Sequence, residues 1–374
     1  MSPPRVPRYD AVVIGGGPAG AATALEIARR GARVALVERT RYAAARVGET
    51  FAPAIQVALA RLGVWESFAG ASPAAADLRL ASHGVRSAWG GAEPAGRSFL
   101  FDPYGCGWHV DRRRFDAALA AAAEEQGVRV LRGARVLSCA RQPAGWSLAV
   151  AAETGHRTLD AGFVVDASGR AAALARRLGA TRQPLDAMIA VAGRFTAPPR
   201  AGDDGYALIE AVADGWWYTA PQPRGEWVAA FMTDPDLAPA AGRCRSAEWE
   251  RRLAAAPETA ARLAGLRPAG PLRTVSAASV RSAPLAGPGW LAVGDAAVAF
   301  DPLSGDGVDR ALRGGLAAAA AIAEGGGAVA AYRDGQEELF AAYRDTRTGF
   351  YRREERWPDS PFWARRRTSS GAHG

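Results

Sequence analysis

The chain of 374 residues contains no lysine; all 46 of its basic residues are arginine. Without a side-chain amine there is no Schiff base, no lysine general acid and no lysine-held oxidant. Cysteine is scarce. Cys106, Cys139 and Cys244 are isolated and odd in number, so no disulfide framework and no zinc spacing follows, and a reducing cytoplasm fits. Cys106 lies nearest a motif and reads as a buried structural thiol. No metal site is expected. No apolar run reaches ~18 residues without charge, so no membrane span is expected. The opening MSPPRVPRYD lacks the apolar segment of a secretory signal. The formal net charge of +8 suits an anionic cofactor or an acidic partner. With no compact basic-aromatic module, it does not suit nucleic acid. The run Arg365-Arg366-Arg367 reads as a solvated tail.

What is present is a sizeable apolar fraction, 49% of the chain, and two glycine loops near its opposite ends. The first lies in Ala11 to Arg39, AVVIGGGPAGAATALEIARRGARVALVER. The run Ala11 to Ile14 is a buried strand, Thr23 to Arg30 a helix, and Ala32 to Val37 the next strand. Gly15, Gly17 and Gly20 occupy the G-x-G-x-x-G positions, and Glu38 follows Gly20 by 18 residues. Gly15 makes the tight turn, Gly17 admits a pyrophosphate to the backbone, and Gly20 lets helix meet strand. Glu38 can accept hydrogen bonds from ribose hydroxyls. The unit reads as a dinucleotide site. The second loop lies in Trp290 to Gly315, WLAVGDAAVAFDPLSGDGVDRALRGG. It reads as a buried strand, a Gly294-Asp295 turn, a loop from Asp301 to Gly307, and a helix with Val308, Leu312 and Leu316 on one face. A glycine-rich loop feeding a helix N-terminus presents backbone N–H groups to an electron-rich ligand. Together the two loops imply one large cofactor.

Between them the pattern changes. Glu49 to Leu62 reads as helix after the Val47-Gly48 turn. Asp111 to Gly127 reads as an alanine-rich helix capped by Asp111. Residues 128–165 read as an antiparallel meander, 186–235 as strands rich in aromatics, 245–263 as helix and 270–283 as strand. Residues 330–357 read as an amphipathic helix. The expected fold is α/β, a Rossmann-like dinucleotide domain of residues 1–75, 109–185 and 284–330. It is interrupted by a β-rich substrate domain of 76–108 and 186–283 and followed by a helical C-terminal segment, 331–374.

Four motifs in this order, GGGPAG at 15–20, DRRRFDAAL at 111–119, VVDASGR at 164–170 and GDAAVAFDPLSGDG at 294–307, resemble one family. It is the FAD-dependent monooxygenases of the p-hydroxybenzoate-hydroxylase type, with the related halogenases and geranylgeranyl reductases. The run Gly215-Trp216-Trp217-Tyr218-Thr219-Ala220-Pro221 and the tail YRREERWPDSPFWARRR are similar to the tryptophan-halogenase-like, LodB-like branch. The resemblance implies FAD in a glutathione-reductase-type domain. It places Gly15, Gly17, Ala19, Gly20, Glu38, Arg39, Glu49, Arg112, Asp166, Gly169, Gly294, Asp295, Pro302, Gly305 and Gly307 at the cofactor. Asp295 would bond the ribityl chain, Pro302 would lie against the isoalloxazine, and Gly305 and Gly307 would give backbone access near its pyrimidine end. Asp306 stands where many relatives carry a glutamine or similar residue, and it is a candidate for tuning the flavin or a local pKa.

Flavin halogenases work through a lysine that this chain lacks. The resemblance therefore implies hydroxylation of an electron-rich aromatic through a flavin C4a-hydroperoxide, with O2 as co-substrate. The substrate is an indole or phenol, either a small molecule or a tryptophan side chain in a peptide or protein. Electrons come from NAD(P)H directly or through a separate flavin reductase. His109, beside Trp108, is the best-placed histidine for proton work; His83, His156 and His373 read as loop or tail residues. Trp216, Trp217 and Tyr218 are expected either to line the substrate pocket or to fill a strand core. Two other readings stand: a flavin-dependent reductase or dehydrogenase of the geranylgeranyl-reductase type, and a non-catalytic flavoprotein that chaperones a partner.

Overall fold

The computed structural model describes residues 8–44, 46–153, 155–196, 205–238 and 244–367. His373 and the side chain of Cys244 lie outside the described residues. Among the described residues, two eight-stranded sheets form the frame. In the first, Arg8–Ile14 runs parallel between Gly155–Asp166 and Val34–Glu38, with Trp290–Ala292 and Arg129–Arg132 extending the parallel set on either side. Strands covered on both faces are apolar throughout rather than alternating, and Val34–Glu38 is buried along its whole length. Arg129–Arg132 thus belongs to the parallel sheet, and only Arg135–Gln142 and Gly145–Ala152 continue antiparallel from Gly155–Asp166, as a meander would. Helix Pro18–Arg29 packs on Gly307–Glu324 and Arg112–Glu125. Gly315 permits the first of these crossings: a Cβ there would lie 2.7 Å from the Ala19 carbonyl oxygen and 2.8 Å from Ala22 Cβ.

The second sheet is antiparallel through Ile189–Thr196, Glu226–Thr233, Gly215–Pro221 and Tyr206–Val212. Gly84–Ala88 joins parallel to Tyr206–Val212, and Ala95–Ser98 closes that edge. Side chains alternate across it. Trp217, Phe231 and Phe195 face helices Cys244–Ala254 and Pro257–Leu263, while Trp216, Ala230 and Met232 face Tyr351, Phe362 and Trp363 of the C-terminal helices Gly327–Arg352 and Pro361–Arg367.

Between the two sheets lies a three-stranded one, in which Gly107–Val110 pairs with Thr50–Phe51 and Arg79–Ser82. The expected helix from Glu49 to Leu62 is corrected here. Thr50–Phe51 is strand, and the helix Ile55–Arg61 begins only after Pro53, whose ring disfavours helical geometry at Ala52. The expected boundary between residues 108 and 109 passes through this small sheet.

The arginine run near the C-terminus is corrected as well. Arg366 is buried against Asp234, with its guanidinium 3.7 Å from the Phe362 ring, and Arg365 bridges Asp234 and Asp236. Far from being a solvated tail, the run fastens the last helix to the second sheet. Trp363 Nε1 adds a bond to the Val212 carbonyl at 3.0 Å. Among the described residues, no helix is long and apolar enough to cross a membrane.

Candidate active site

The first glycine loop separates its glycines by role. A Cβ on Gly20 would lie 1.9 Å from the Gly15 carbonyl oxygen, and one on Gly15, at φ +108°, 2.2 Å from the Ala167 carbonyl oxygen. Both glycines are required by backbone packed on backbone. Gly17 differs: its Cβ would meet only Arg46 Nη1, at 3.6 Å. Gly17 caps helix Pro18–Arg29 without any side-chain hydrogen bond. Glu38 is buried at the end of its strand and accepts from Gly16 N at 2.7 Å, Thr40 N at 2.8 Å and Thr40 Oγ1 at 2.6 Å. Arg39 is exposed. Arg46, which no motif marked, lies over this loop. It reaches Glu38 Oε1 at 3.3 Å and Asp116 Oδ2 at 2.9 Å. Arg112 bonds the same Asp116 and the carbonyls of Val47 and Gly48. Its observed work is to hold the 47–48 turn. The spacing of Arg112 and Asp116, one helical turn apart, carried that signal.

The second loop touches the first. A Cβ on Gly294, at φ +59°, would lie 2.7 Å from Ala19 Cβ. Asp295 is half exposed and pairs with Arg170 at 3.3 Å. The Asp166 carboxylate is fully buried and accepts from Ser168 N, Ser168 Oγ, Leu174 N and Ala175 N, so it shapes its own turn. Gly169, at φ +67°, lies within that turn. Pro302, Gly305 and Gly307 are exposed, and a Cβ added at either glycine would meet no atom beyond its own stretch of chain within 4 Å. Asp306 precedes helix Gly307–Glu324 and accepts from Arg310 Nε at 2.6 Å. Its Oδ1, and Arg310 Nη1, are buried without a partner.

A third group joins the three-stranded sheet to the second sheet. Thr50 and His109 are register partners. Thr50 Oγ1 lies 2.8 Å from His109 Nδ1 and 2.5 Å from the Tyr218 hydroxyl, while His109 Nε2 lies 3.0 Å from the Gly205 carbonyl oxygen. Burial, and then the Glu49 carboxylate, raise the Tyr218 pKa. Of the three expected pocket aromatics, only Tyr218 joins this group. Trp217 fills the strand core, the second of the two expectations for it, and meets Trp249 with ring centroids 4.6 Å apart. Trp216 is sealed against Trp89 and donates to the Tyr351 hydroxyl at 3.1 Å. Thr50, a neutral residue outside any motif, escaped the sequence reading.

Residues 10–183 match the FAD dependent oxidoreductase family, and residues 97–373 match the tryptophan halogenase family. The chain belongs to the tryptophan-halogenase family of FAD-dependent oxidoreductases. This flavoenzyme is 31% identical to the FAD-dependent oxidoreductase LodB of Marinomonas mediterranea, over 97% of this chain and 98% of LodB. Its fold is similar to the myxobacterial chondrochloren halogenase CndH at a TM-score of 0.84 and 26% identity, covering 96% of this chain and 86% of CndH. It is similar to the peptidyl tryptophan dihydroxylase QhpG at a TM-score of 0.76 and 26% identity, covering 98% and 80% of the two chains.

The flavoenzyme's residues fit FAD on structural grounds. Gly17, Gly305 and Gly307 leave room beside backbone at two helix N-termini, and Asp306 Oδ1 and Arg310 Nη1 are buried polar atoms lacking partners. Glu49, by contrast, is wholly inside. Burial pushes its carboxyl up to about 7, against the pull of Arg112, backbone N–H groups and Arg194. A carboxyl that keeps its proton in the folded state, but would lose it near pH 4.5 unfolded, makes stability fall as pH rises from there through 7. That component is worth about 3 kcal/mol. Urea unfolding of the flavin-loaded protein at pH 5 and pH 8 is expected to show it, and Glu49→Gln to abolish it. Equal pH slopes for the two proteins would refute the assignment.

Proposed function

We propose that the flavoenzyme is a monooxygenase that hydroxylates an electron-rich aromatic ring, the indole of a tryptophan side chain carried in a peptide or protein. The observation that carries this reading is the complete lack of lysine in a chain otherwise built like the flavin halogenases. With no amine to deliver hypohalous acid, the same frame retains what hydroxylation needs. That QhpG is a peptidyl tryptophan dihydroxylase supports the substrate class.

Bound and reduced, FAD supplies the electrons that split O2, one oxygen atom entering the ring and the other leaving as water. The chain's own contributions are separate. Gly17 and the first turn of Pro18–Arg29 would hold the pyrophosphate, Glu38 the ribose, and Gly294-Asp295 the ribityl chain. The 302–307 loop would lie at the isoalloxazine. The N-terminus of Gly307–Glu324 would favour negative charge on the reduced ring.

The test offers the yellow protein labelled dioxygen and chloride, with NADH, alone and with a flavin reductase. Free tryptophan, a phenol and tryptophan-containing peptides are compared. A peptide product heavier by one or two labelled oxygens is expected. Incorporated chlorine, or a change of two hydrogens without oxygen, would overturn the reading. The second outcome would favour a reductase.

A further inference from the structure

We propose that the open strand Ala95–Ser98, with the Leu100-Phe101 turn beside it, docks an extended segment of the polypeptide substrate. That segment carries an acidic residue and an apolar one, and it lies several residues away from the tryptophan to be hydroxylated. The inference rests on the polypeptide substrate proposed above. A small aromatic molecule would have no use for such a site.

Among the described residues, Ala95–Ser98 is an end strand of the second sheet, and each of its residues is exposed. It pairs antiparallel with Gly84–Ala88, Arg97 opposite Val85 and Ala95 opposite Ser87. Just beyond it, Phe99 N donates to the His83 carbonyl at 2.8 Å. In an antiparallel ladder the inward bonds fall on every second residue. Phe99, Arg97 and Ala95 therefore bond inward, and Gly96 and Ser98 turn their N–H and C=O groups to the open side. A glycine in a strand also lets a second backbone approach closely.

Apolar surface continues from the end of this strand. Leu100 and Phe101 are 77% and 93% exposed, the most exposed large apolar residues among those described. The turn that presents them is fastened at both ends. Phe99 beneath it is buried, Leu100 N donates to Ser98 Oγ at 3.1 Å, Asp102 N to the Phe99 carbonyl at 2.9 Å, and Tyr104 N to Asp102 Oδ1 at 3.0 Å. Two large apolar side chains are thus held in water on an ordered backbone, so little ordering cost remains when a partner arrives. Exposed apolar groups placed side by side mark an interaction surface.

Hydrogen bonding and charge choose the occupant. A row of open backbone groups is met by another polypeptide strand, as in β-strand addition. A lipid surface offers no such row, and the Asp102 carboxylate beside Phe101 would repel anionic headgroups. Arg97 is exposed, and no acidic group among the described residues pairs with it. A second copy paired edge to edge would bring Arg97 near Arg97, because the strand is only four residues long, and like charges facing across strands are unfavourable. A strand with Asp or Glu at that place is complementary. Arg97 also shares a face with Val85, which clusters with Tyr218, and Tyr218 and Leu303 of the 302–307 loop pack on one core cluster. Tyr218 lies three strands in from Ala95–Ser98. At ~4.8 Å per strand an added strand would lie roughly 19 Å from it, a span of about six extended residues.

The test uses the flavin-loaded protein and two synthetic peptides. Each has a tryptophan at one end and an alternating Glu-Val segment at the other, with a spacer of about six residues in one and about two in the other. With the long-spaced peptide, amide hydrogen exchange by NMR is expected to show Gly96 and Ser98 becoming protected. Its Kd and KM should be about 10-fold or more below those of the short-spaced peptide, at equal kcat. Leu100→Ser with Phe101→Ser should remove that advantage. The short-spaced peptide, FAD affinity and thermal stability should not respond, because both side chains are in water. Arg97→Glu should also remove the advantage, and a peptide with Lys in place of Glu should restore it. Unprotected amides, or equal affinities in every variant, would overturn the docking site; labelled oxygen in both peptides would then leave the monooxygenase reading intact. Protection of Gly96 and Ser98 with no oxygen in either peptide would instead reject the hydroxylation reading and keep the surface as a polypeptide site. Binding to phosphatidylglycerol vesicles, or a dimer in sedimentation, that the double serine variant abolishes would assign the surface to a membrane or to a second copy and overturn the proposal.

Discussion

Replacing Arg347 by methionine is expected to cost about 3–5 kcal/mol of stability. Arg347 is buried in helix Gly327–Arg352, donating from Nε to Asp301 Oδ2 and from Nη2 to Asp186 Oδ2, both at 3.0 Å. Burial alone would lower its pKa. The carboxylates of Asp301 and Asp186, with the Tyr351 hydroxyl, more than reverse that, so the guanidinium stays charged. Removing it leaves two carboxylates facing each other in a low-dielectric site. Lysine should rescue little, because a single ammonium cannot span two carboxylates and also lie over the Tyr351 ring, as the guanidinium does at 4.8 Å. Asp301→Asn added to Arg347→Met should recover part of the loss, since the two residues share one pair. The effect should reach the cofactor. Asp301 also accepts from Leu303 N and donates its own N–H to the Tyr343 hydroxyl, fixing the start of the 302–307 loop. Urea unfolding read by intrinsic fluorescence and by flavin release tests this. A loss below 1 kcal/mol would show that water already screens the pair.

Arg347 also shows what a linear reading misses. It lies 46 residues from Asp301 and 161 from Asp186, and nothing in its own neighbourhood marks it. Arg366 and Asp234, 132 residues apart, pair in the same way, so a triple arginine without local acids reads as solvated when its partner is only distant. The glycine loops were legible for the opposite reason. At Gly15 and Gly20 the requirement is local, a backbone that no Cβ can enter, and it leaves its mark as residue identity at fixed spacing. The Asp111 cap is likewise local, accepting from Arg113 N at 2.9 Å.

The sheet aromatics fall in between. The period of two already separates Trp217 from Trp216 and Tyr218, but which face meets the cofactor loops depends on what packs there. The helices Cys244–Ala254 and Pro257–Leu263 claim one face, and the C-terminal helices with Leu303 claim the other. Thr50 was invisible because its role is relational. A threonine joins a histidine and a tyrosine only once strand register sets Thr50 opposite His109 and the second sheet delivers Tyr218.

Substituting alanine at Gly20 and at Gly17 should separate fold from cofactor within one motif. At Gly20 the new methyl would lie 1.9 Å from a backbone oxygen and 2.9 Å from Ala167 Cβ, with no flexible side chain to give way. The strand Arg8–Ile14 and helix Pro18–Arg29 would have to part, and overpacking of this kind costs ~3 kcal/mol or more. Gly20→Ala is expected to be colourless and to unfold early even in excess FAD. Gly17 lies in extended backbone at φ −74°, where alanine is at ease, and its Cβ meets only the guanidinium end of Arg46. Gly17→Ala should therefore match wild type in thermal stability measured without flavin, yet bind FAD more weakly by roughly 1–3 kcal/mol, the cost of crowding a close phosphate contact. Equilibrium titration of flavin fluorescence measures the second effect and calorimetry of the flavin-free protein the first. If both variants lose stability alike, Gly17 serves the fold, and the cofactor site on the first turn of Pro18–Arg29 has to be sought elsewhere.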